Sequence, residues 1–379
     1  MKYKVPFVGY IQQYKNHKLE FDVARDDCTS RGTYVFQKEM QEFEQKSAEY
    51  NNAKHGIGTG SCTGALYTAL WALGIGPGDE VITVSHTFIA TINVIIRTGA
   101  TPILIDIDEN TMNMDENLIE AVITSKTKAI MPVHLNGRLC NMEKIMQIAN
   151  KYNLYVIEDS AQAYGARFKG KNHWGDVSCY SFYPAKILGS LGEGGLAIVH
   201  DDELAKKMYL LRDHGLYPGY VITRFDIKED PKKIHLWGGN TILDNIDAAV
   251  LLVKLKYFDK DVMRRREIAS CYNEGLKDIP QLKLPIPPDN EDYFDVFQNY
   301  VIRVKDRNEL NKYLNKNGIE TIISWYIPNH KQEALKELHR FKLPITEKVS
   351  SEVISLPMYP ELTNEQVDYV IDTIKKYYG

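Results

Sequence analysis

The chain is predicted to fold as an α/β protein with a mainly parallel sheet, and two features of its sequence predict this. From about residue 60 onward, strand-like and helix-like segments alternate at the spacing of repeated strand–helix units. A proline cluster, Pro280, Pro285, Pro287 and Pro288, then closes that run, and mixed elements of a smaller α+β unit follow it.

Taken in order, Ala65, Leu66, Ala69, Leu70 and Leu73 fit one face of a helix, which the turn Gly76-Pro77-Gly78-Asp79 ends. VITV (81–84) reads as a short buried strand, 88–97 as a helix and TPILIDI (101–107) as a strand. DENLIEAVI (115–123) reads as a helix, KAIMPVHL (128–135) as a strand, NMEKIMQIANKY (141–152) as a helix and YVIED (155–159) as a strand. VSCYSFY (177–183) and GLAIVH (195–200) add two strands. A long helical pattern runs from Asn245 to Lys277. Beyond the prolines, VFQNYVIRV (296–304) and IETII (319–323) read as extended, with helices near 306–317 and 363–378. The Gly-, Tyr- and Pro-rich stretch 217–240 reads as a long functional loop. The expected division is 1–255 for the large domain and 256–379 for the small one.

Composition narrows the class. The 379 residues are 44% hydrophobic and 25% charged, an ordinary globular balance. A net charge of -4 gives no reason to expect nucleic acid or an anionic membrane as partner. The five cysteines are scattered and form no C-x-x-C pair, so neither a disulfide framework nor a zinc site is expected. No signal peptide is visible at the start, and the longest uncharged stretch (81–96) is broken by polar residues, so a cytoplasmic protein is expected.

In open α/β sheets ligands bind beyond the carboxyl ends of the strands, and four groups of residues fall there. Ser61-Cys62-Thr63-Gly64 precede a helix, whose exposed N–H groups and dipole favour an anion; plain N-capping is the alternative. Glu158-Asp159-Ser160-Ala161-Gln162 close a strand, where a carboxylate could hold a pyridine nitrogen protonated and Gln162 could bond a ring oxygen. Ser181 and Lys186 follow another strand and precede a glycine-rich run whose only charge is Glu193. An amine in apolar surroundings has a lowered pKa, and a neutral amine forms Schiff bases. Phe88 could stack on a planar ligand or serve as core. Together these are the groups needed to hold a phosphorylated aromatic aldehyde. Gly58 and Gly60 form a GxG without the rest of a dinucleotide fingerprint.

These residues bring a family into view. VPFVGYIQQY, ALGIGPGDEVITVSHTFIAT, VIEDSAQAYGARFKGK and SFYPAKILGSLGEGG resemble the DegT/DnrJ/EryC1/StrS family of sugar aminotransferases, and the resemblance extends over nearly the whole chain. It implies an aspartate-aminotransferase-like fold, with a mixed, mainly parallel seven-stranded sheet in the large domain. It implies pyridoxal 5'-phosphate (PLP) bound to Lys186, Asp159 on the pyridine nitrogen, Gln162 on the ring hydroxyl and Phe88 stacked on the ring. Thr63, Gly64 and Ser181 would bind the phosphate. Asn240 would reach the cofactor of a neighbouring subunit, implying a homodimer with shared sites. No metal is implied. The implied substrates are a nucleotide-linked keto sugar and L-glutamate, which leaves as 2-oxoglutarate.

Two departures bear on substrate. Thr241 and Ile242 follow Asn240 where the family has an aromatic or Ser and then Arg, and Ser324-Trp325-Tyr326 replace His-Tyr-Pro. Ser324, Trp325, Tyr326 and His330 are therefore the candidate substrate residues. The opening VPFVGYIQQY resembles enzymes that aminate C-3, which favours a dTDP-linked 3-keto-6-deoxyhexose over UDP- or GDP-linked 4-keto sugars or a non-sugar ketone. A PLP-dependent sugar dehydratase would carry His in place of Lys186, and no DNA-binding segment supports a regulator.

Overall fold

The computed structural model describes residues 3–230, 232–288 and 292–379. The large unit opens with two helices, α1 (Tyr10–Ser30) and α2 (Lys38–Tyr50), and strand β1 (His55–Thr59). There follow α3 (Cys62–Ala72), β2 (Glu80–Val84), α4 (Ala90–Thr98), β3 (Thr101–Ile105), β4 (Thr127–Ile130), α5 (Met142–Tyr152) and β5 (Tyr155–Asp159). Next come β6 (Arg167–Phe168), β7 (Val177–Ser181), β8 (Gly195–Val199), α6 (Asp202–Arg212), α7 (Gly219–Phe225), α8 (Asn245–Leu255) and α9 (Phe258–Leu276). The chain ends with β9 (Tyr293–Phe294), β10 (Tyr300–Arg303), α10 (Arg307–Lys316), α11 (Pro344–Glu352), β11 (Val353–Leu356) and α12 (Asn364–Tyr378).

Seven strands form one sheet in the order β1-β8-β7-β5-β4-β2-β3. Every pairing from β3 to β7 is parallel, and β8 runs antiparallel to both its neighbours. Side chains alternate across the sheet with the period of two that strands impose. Ile82, Ile130 and Val156 face a core shared with α2, α5 and α8, whereas Val81, Ala129 and Ile157 face α3, α4 and α6. The result is a three-layer α/β arrangement around the expected, mainly parallel sheet. A separate core gathers β10, β11, α10 and α12. Helix α9 joins the two cores, with Phe258 and Val262 in the first and Ile268, Tyr272 and Leu276 in the other.

Several elements differ from the sequence reading, each for a local reason. The seventh strand, β1, has the sequence HGIGT, whose glycines obscure a strand signal. A Cβ on Gly56 would lie 2.4 Å from the Glu44 carbonyl oxygen, so the close passage of α2 requires glycine there. Residues 115–123 form two 3-10 turns, Glu116–Leu118 and Glu120–Val122, begun by Asp115 accepting the Asn117 N–H. The pattern 245–277 is two helices, because Lys256 and Tyr257 bond three residues back, to Val253 and Lys254. Strand β4 stops short of Pro132, which has no N–H to give the ladder. IETII is no regular strand; Ile319 and Ile322 make isolated bridges to Val5 and Ser355. Within 217–240 the loop includes α7, and residue 231 lies outside the described residues.

Candidate active site

A cleft of about 770 Å³ opens beyond the carboxyl ends of β2, β4, β5 and β7. Its wall includes Thr63, Phe88, Asp159, Gln162, Ser181, Lys186, Ser324 and Trp325, eight of the residues singled out from sequence. Four others do not line it. Gly64 lies in the first turn of α3, packed under Thr241, whose Oγ1 would stand 2.1 Å from an added Cβ. Asn240 is exposed and bridges Asp213. Tyr326 is exposed, outside the wall. His330 is fully buried behind it.

The position of His330 has a clear cause. Its backbone N–H donates to Ser85 Oγ (3.0 Å), and because the Glu347 carboxylate at Nε2 can only accept, Nδ1 accepts from that same hydroxyl (2.8 Å). The ring proton is left on Nε2, which donates to Glu347 Oε1 (3.2 Å). With both ring nitrogens engaged, His330 acts on the turn that carries Phe88 and has no group free for a substrate. Asn329 bonds the same turn, at the carbonyls of Ser85 and Thr87.

Helix α3 enters the cleft by its N-terminus. Ser61 Oγ accepts the Gly64 N–H (3.1 Å), so Ser61 is the capping residue. The Thr63 hydroxyl is left without a hydrogen bond among the described residues. Directly beside it, a Cβ on Gly195 would lie 2.2 Å from the Ser61 carbonyl carbon, so only glycine lets β8 come this close.

At the end of β5, Asp159 is buried. Its Oδ2 accepts from Thr91 Oγ1 (2.7 Å) and its Oδ1 from the Ala161 N–H (3.2 Å). Burial raises its pKa, against the pull of those two donors and of Lys186. Gln162 Oε1 accepts the Asn136 N–H (2.8 Å), which fixes the amide and leaves Nε2 to serve as a donor. Phe88 presents a ring that is 63% exposed, with little core function. Trp325 has φ +52°, an uncommon left-handed backbone for an aromatic residue, and its ring meets His86 edge to face.

Lys186 sits in an irregular turn after β7. No hydrogen bond or ion pair holds its amine among the described residues. Burial lowers its pKa, with Cys62 and Asp159 opposing. An unengaged amine, a buried carboxyl, an exposed ring, and hydroxyls at a glycine-packed helix start fit a phosphorylated pyridine aldehyde.

Sequence reasoning passed over Gln298, Asn299, Glu193 and His134, which also line the cleft. His134 stands one residue before the end of the segment KAIMPVHL and so was findable by the strand-end rule. All five cysteines are free, and among the described residues no group of three His, Cys, Asp or Glu could hold a metal ion. No helix of the described residues is long and apolar enough to cross a membrane.

Known proteins share this architecture. Residues 17–375 match the DegT/DnrJ/EryC1/StrS aminotransferase family. A dTDP-3-amino-3,6-dideoxy-alpha-D-galactopyranose transaminase of Aneurinibacillus thermoaerophilus is 42% identical, over 98% of this chain and 99% of that one. A protein of Geobacillus stearothermophilus named a pleiotropic regulatory protein is 39% identical, over 99% of this chain and 98% of that one. The crystal structure of NtdA from Bacillus subtilis with bound cofactor PMP superposes with a TM-score of 0.90 at 32% identity, covering 98% of this chain and 85% of that one. With the fold, the cleft and the match along the chain in agreement, this protein belongs to the DegT/DnrJ/EryC1/StrS aminotransferase family.

Proposed function

We propose that the protein is a PLP-dependent aminotransferase that converts a nucleotide-linked keto sugar to the amino sugar, with L-glutamate as donor. The observation that carries this reading is the unengaged Lys186 amine facing the same cleft as the buried Asp159 carboxyl. When bound, PLP supplies an electron sink for the substrate carbon.

The chain's own residues would then divide the work. Lys186 Nζ would hold the cofactor and move the proton between carbons, a task suited to an amine whose pKa burial has lowered. Asp159 would keep the pyridine nitrogen protonated, and Gln162 Nε2 would donate to the ring oxygen. Phe88 would cover the ring face. Thr63 and Ser181 would take the phosphate, and Ser324 and Trp325 would face the sugar; Gly64, its N–H given to Ser61 Oγ, would instead let α3 pack under Thr241. Asn240, exposed and outside its own cleft, would serve the cleft of a second copy in a homodimer.

The cleft volume lies within the usual range for small-molecule sites, about 300–1,000 Å³, and leaves space beside a cofactor for a sugar. A dTDP-linked 3-keto-6-deoxyhexose is the favoured acceptor, in keeping with the name of the 42% identical relative. UDP- or GDP-linked 4-keto sugars are the alternative. A dehydratase would carry His at position 186, and no DNA-binding segment supports a non-catalytic regulator.

The test has two arms. Borohydride should fix the cofactor to Lys186, as read by peptide mass, and Lys186→Ala should abolish both fixation and turnover. A panel of dTDP-, UDP- and GDP-linked keto sugars with L-glutamate should then show amination, fastest with the dTDP 3-keto sugar. Full turnover in Lys186→Ala refutes the mechanism; a different preferred sugar refutes only the substrate.

A further inference from the structure

The turn that carries Lys186 belongs to neither a helix nor a sheet ladder, so its backbone groups need other partners. The Lys186 N–H is met within the turn by the Tyr183 carbonyl (2.8 Å), and the Tyr183 N–H by Ser181 Oγ (3.3 Å). The two groups that flank the lysine are met by one side chain. Gln298 Oε1 accepts the Ile187 N–H (2.5 Å), and Gln298 Nε2 donates to the Ala185 carbonyl (2.8 Å). A backbone N–H can meet only the amide oxygen and a carbonyl only the amide nitrogen, so the orientation of Gln298 is unambiguous.

Gln298 is itself held firmly. It is buried, and its segment passes so close to Gly137 that a Cβ there would lie 2.7 Å from Phe297 N and 2.8 Å from Gln298 N. The Val296 N–H bonds the Gly137 carbonyl (2.9 Å). Phe297 takes a left-handed φ of +48°. Arg265 Nη1 donates to the carbonyls of Phe297 (3.1 Å), Gln298 (3.4 Å) and Met358 (2.9 Å). Two residues later the chain enters β10 and the second core.

We propose that Gln298 is the positioning residue for Lys186: its amide spans the residues on either side, sets the backbone from which the lysine projects, and ties that setting to the segment leading into β10. This rests on the reading of Lys186 as the cofactor-bearing lysine. A planar amide gripping residues i−1 and i+1 fixes the peptide planes on both sides of residue i. That aims the Cα–Cβ bond and, through it, the amine. Misplacement of a reacting group by about 1 Å costs on the order of 100-fold in rate, so the grip bears on catalysis as well as on folding.

Holoenzymes of the wild type, Gln298→Met and Gln298→Glu test this. Methionine keeps the length and removes both hydrogen bonds. Its kcat should fall about 10- to 100-fold with KM for the donor little changed, and the pH midpoint of the cofactor absorption band should move from the wild-type position. Glutamate keeps the acceptor for Ile187 but turns a carboxylate oxygen toward the Ala185 carbonyl. Protonation restores a donor, so the kcat of Gln298→Glu relative to wild type should recover as pH falls. A wild-type kcat and absorption midpoint in Gln298→Met, or a ratio for Gln298→Glu that is flat with pH, overturns the proposal. If the methionine variant does not fold, the pH profile of the glutamate variant decides. Wild-type enzyme that borohydride does not fix at Lys186 would instead overturn the reading of the lysine, and the two failures are told apart by that control.

Discussion

Replacing Glu158 by Gln should cost about 3–5 kcal/mol of stability at neutral pH. Glu158 is fully buried on the opposite face of β5 from Asp159. Its Oε1 accepts from the N–H groups of Trp174 (2.9 Å) and Gly175 (2.8 Å) and from Ser178 Oγ (2.6 Å). Its Oε2 meets His134 Nε2 at 2.8 Å. The Cys140 N–H donates to His134 Nδ1 (3.1 Å), so that ring must carry its proton on Nε2 and donate it to Glu158. A glutamine can offer its oxygen to the first three donors, but its amide nitrogen then confronts His134 Nε2–H. One charge-assisted bond is lost, worth about 1.5–3 kcal/mol, and a buried donor is left unpaired, costing about 1–3 kcal/mol more. The penalty carries a pH signature. Burial opposes ionisation of Glu158, yet its hydrogen bonds, that from His134 foremost, hold its pKa well below 4.5. A carboxylate lowered in this way stabilises the fold above its unfolded pKa and loses that contribution as pH falls toward the folded value. Urea titrations of the two apoenzymes should therefore differ fully at neutral pH and converge below pH 4.5, the ordinary glutamate value. A loss under about 1 kcal/mol, or a gap that persists undiminished into acid, would refute this account of the site.

Gly195→Ala places a Cβ 2.2 Å from the Ser61 carbonyl carbon and 2.5 Å from Cys62 N, a clash with backbone that no rotamer relieves. It should displace the start of α3 and weaken PLP binding at least about tenfold by absorbance titration; an unchanged dissociation constant contradicts the phosphate assignment. In the apoenzyme, burial lowers the pKa of Lys186, so its amine becomes neutral at lower pH than an ordinary lysine. Labelling of Lys186 by an amine-selective reagent should reach half its maximum below pH 10.5, and a midpoint at or above that value contradicts the burial argument.

What could be read in advance follows from how local each signal is. Asp159, Ser181 and Lys186 stand at or just past strand ends, and Thr63 at a helix start, so short windows of sequence bring them to the cleft. The strand–helix alternation is equally local, and six of the seven strands were visible in it. Strand β1 was not, because its glycines answer to the backbone of α2 passing over Gly56. The burial of His330 was hidden because its partner Ser85 lies 245 residues away. Gln298 was hidden similarly, its two bonds reaching back 111 and 113 residues to a turn with no periodic pattern. Tyr326 and Trp325 are neighbours with opposite outcomes, and only the left-handed backbone at Trp325 separates them.

The carboxylates of Glu158 and Asp159 are adjacent in the chain and opposite in space, which makes the reading frame of β5 against its neighbours a chemical variable. A strand's side chains alternate, so sliding β5 by a single residue would turn both acids to the wrong faces. In one direction the four-donor pocket built for a charged glutamate would receive an aspartate one methylene too short, with Ser160 at the cleft; in the other the cleft would receive the longer acid, with Ile157 in the pocket. Insertions and deletions near Asn153, at the helix end just before β5, are thus disfavoured even though this is a surface turn.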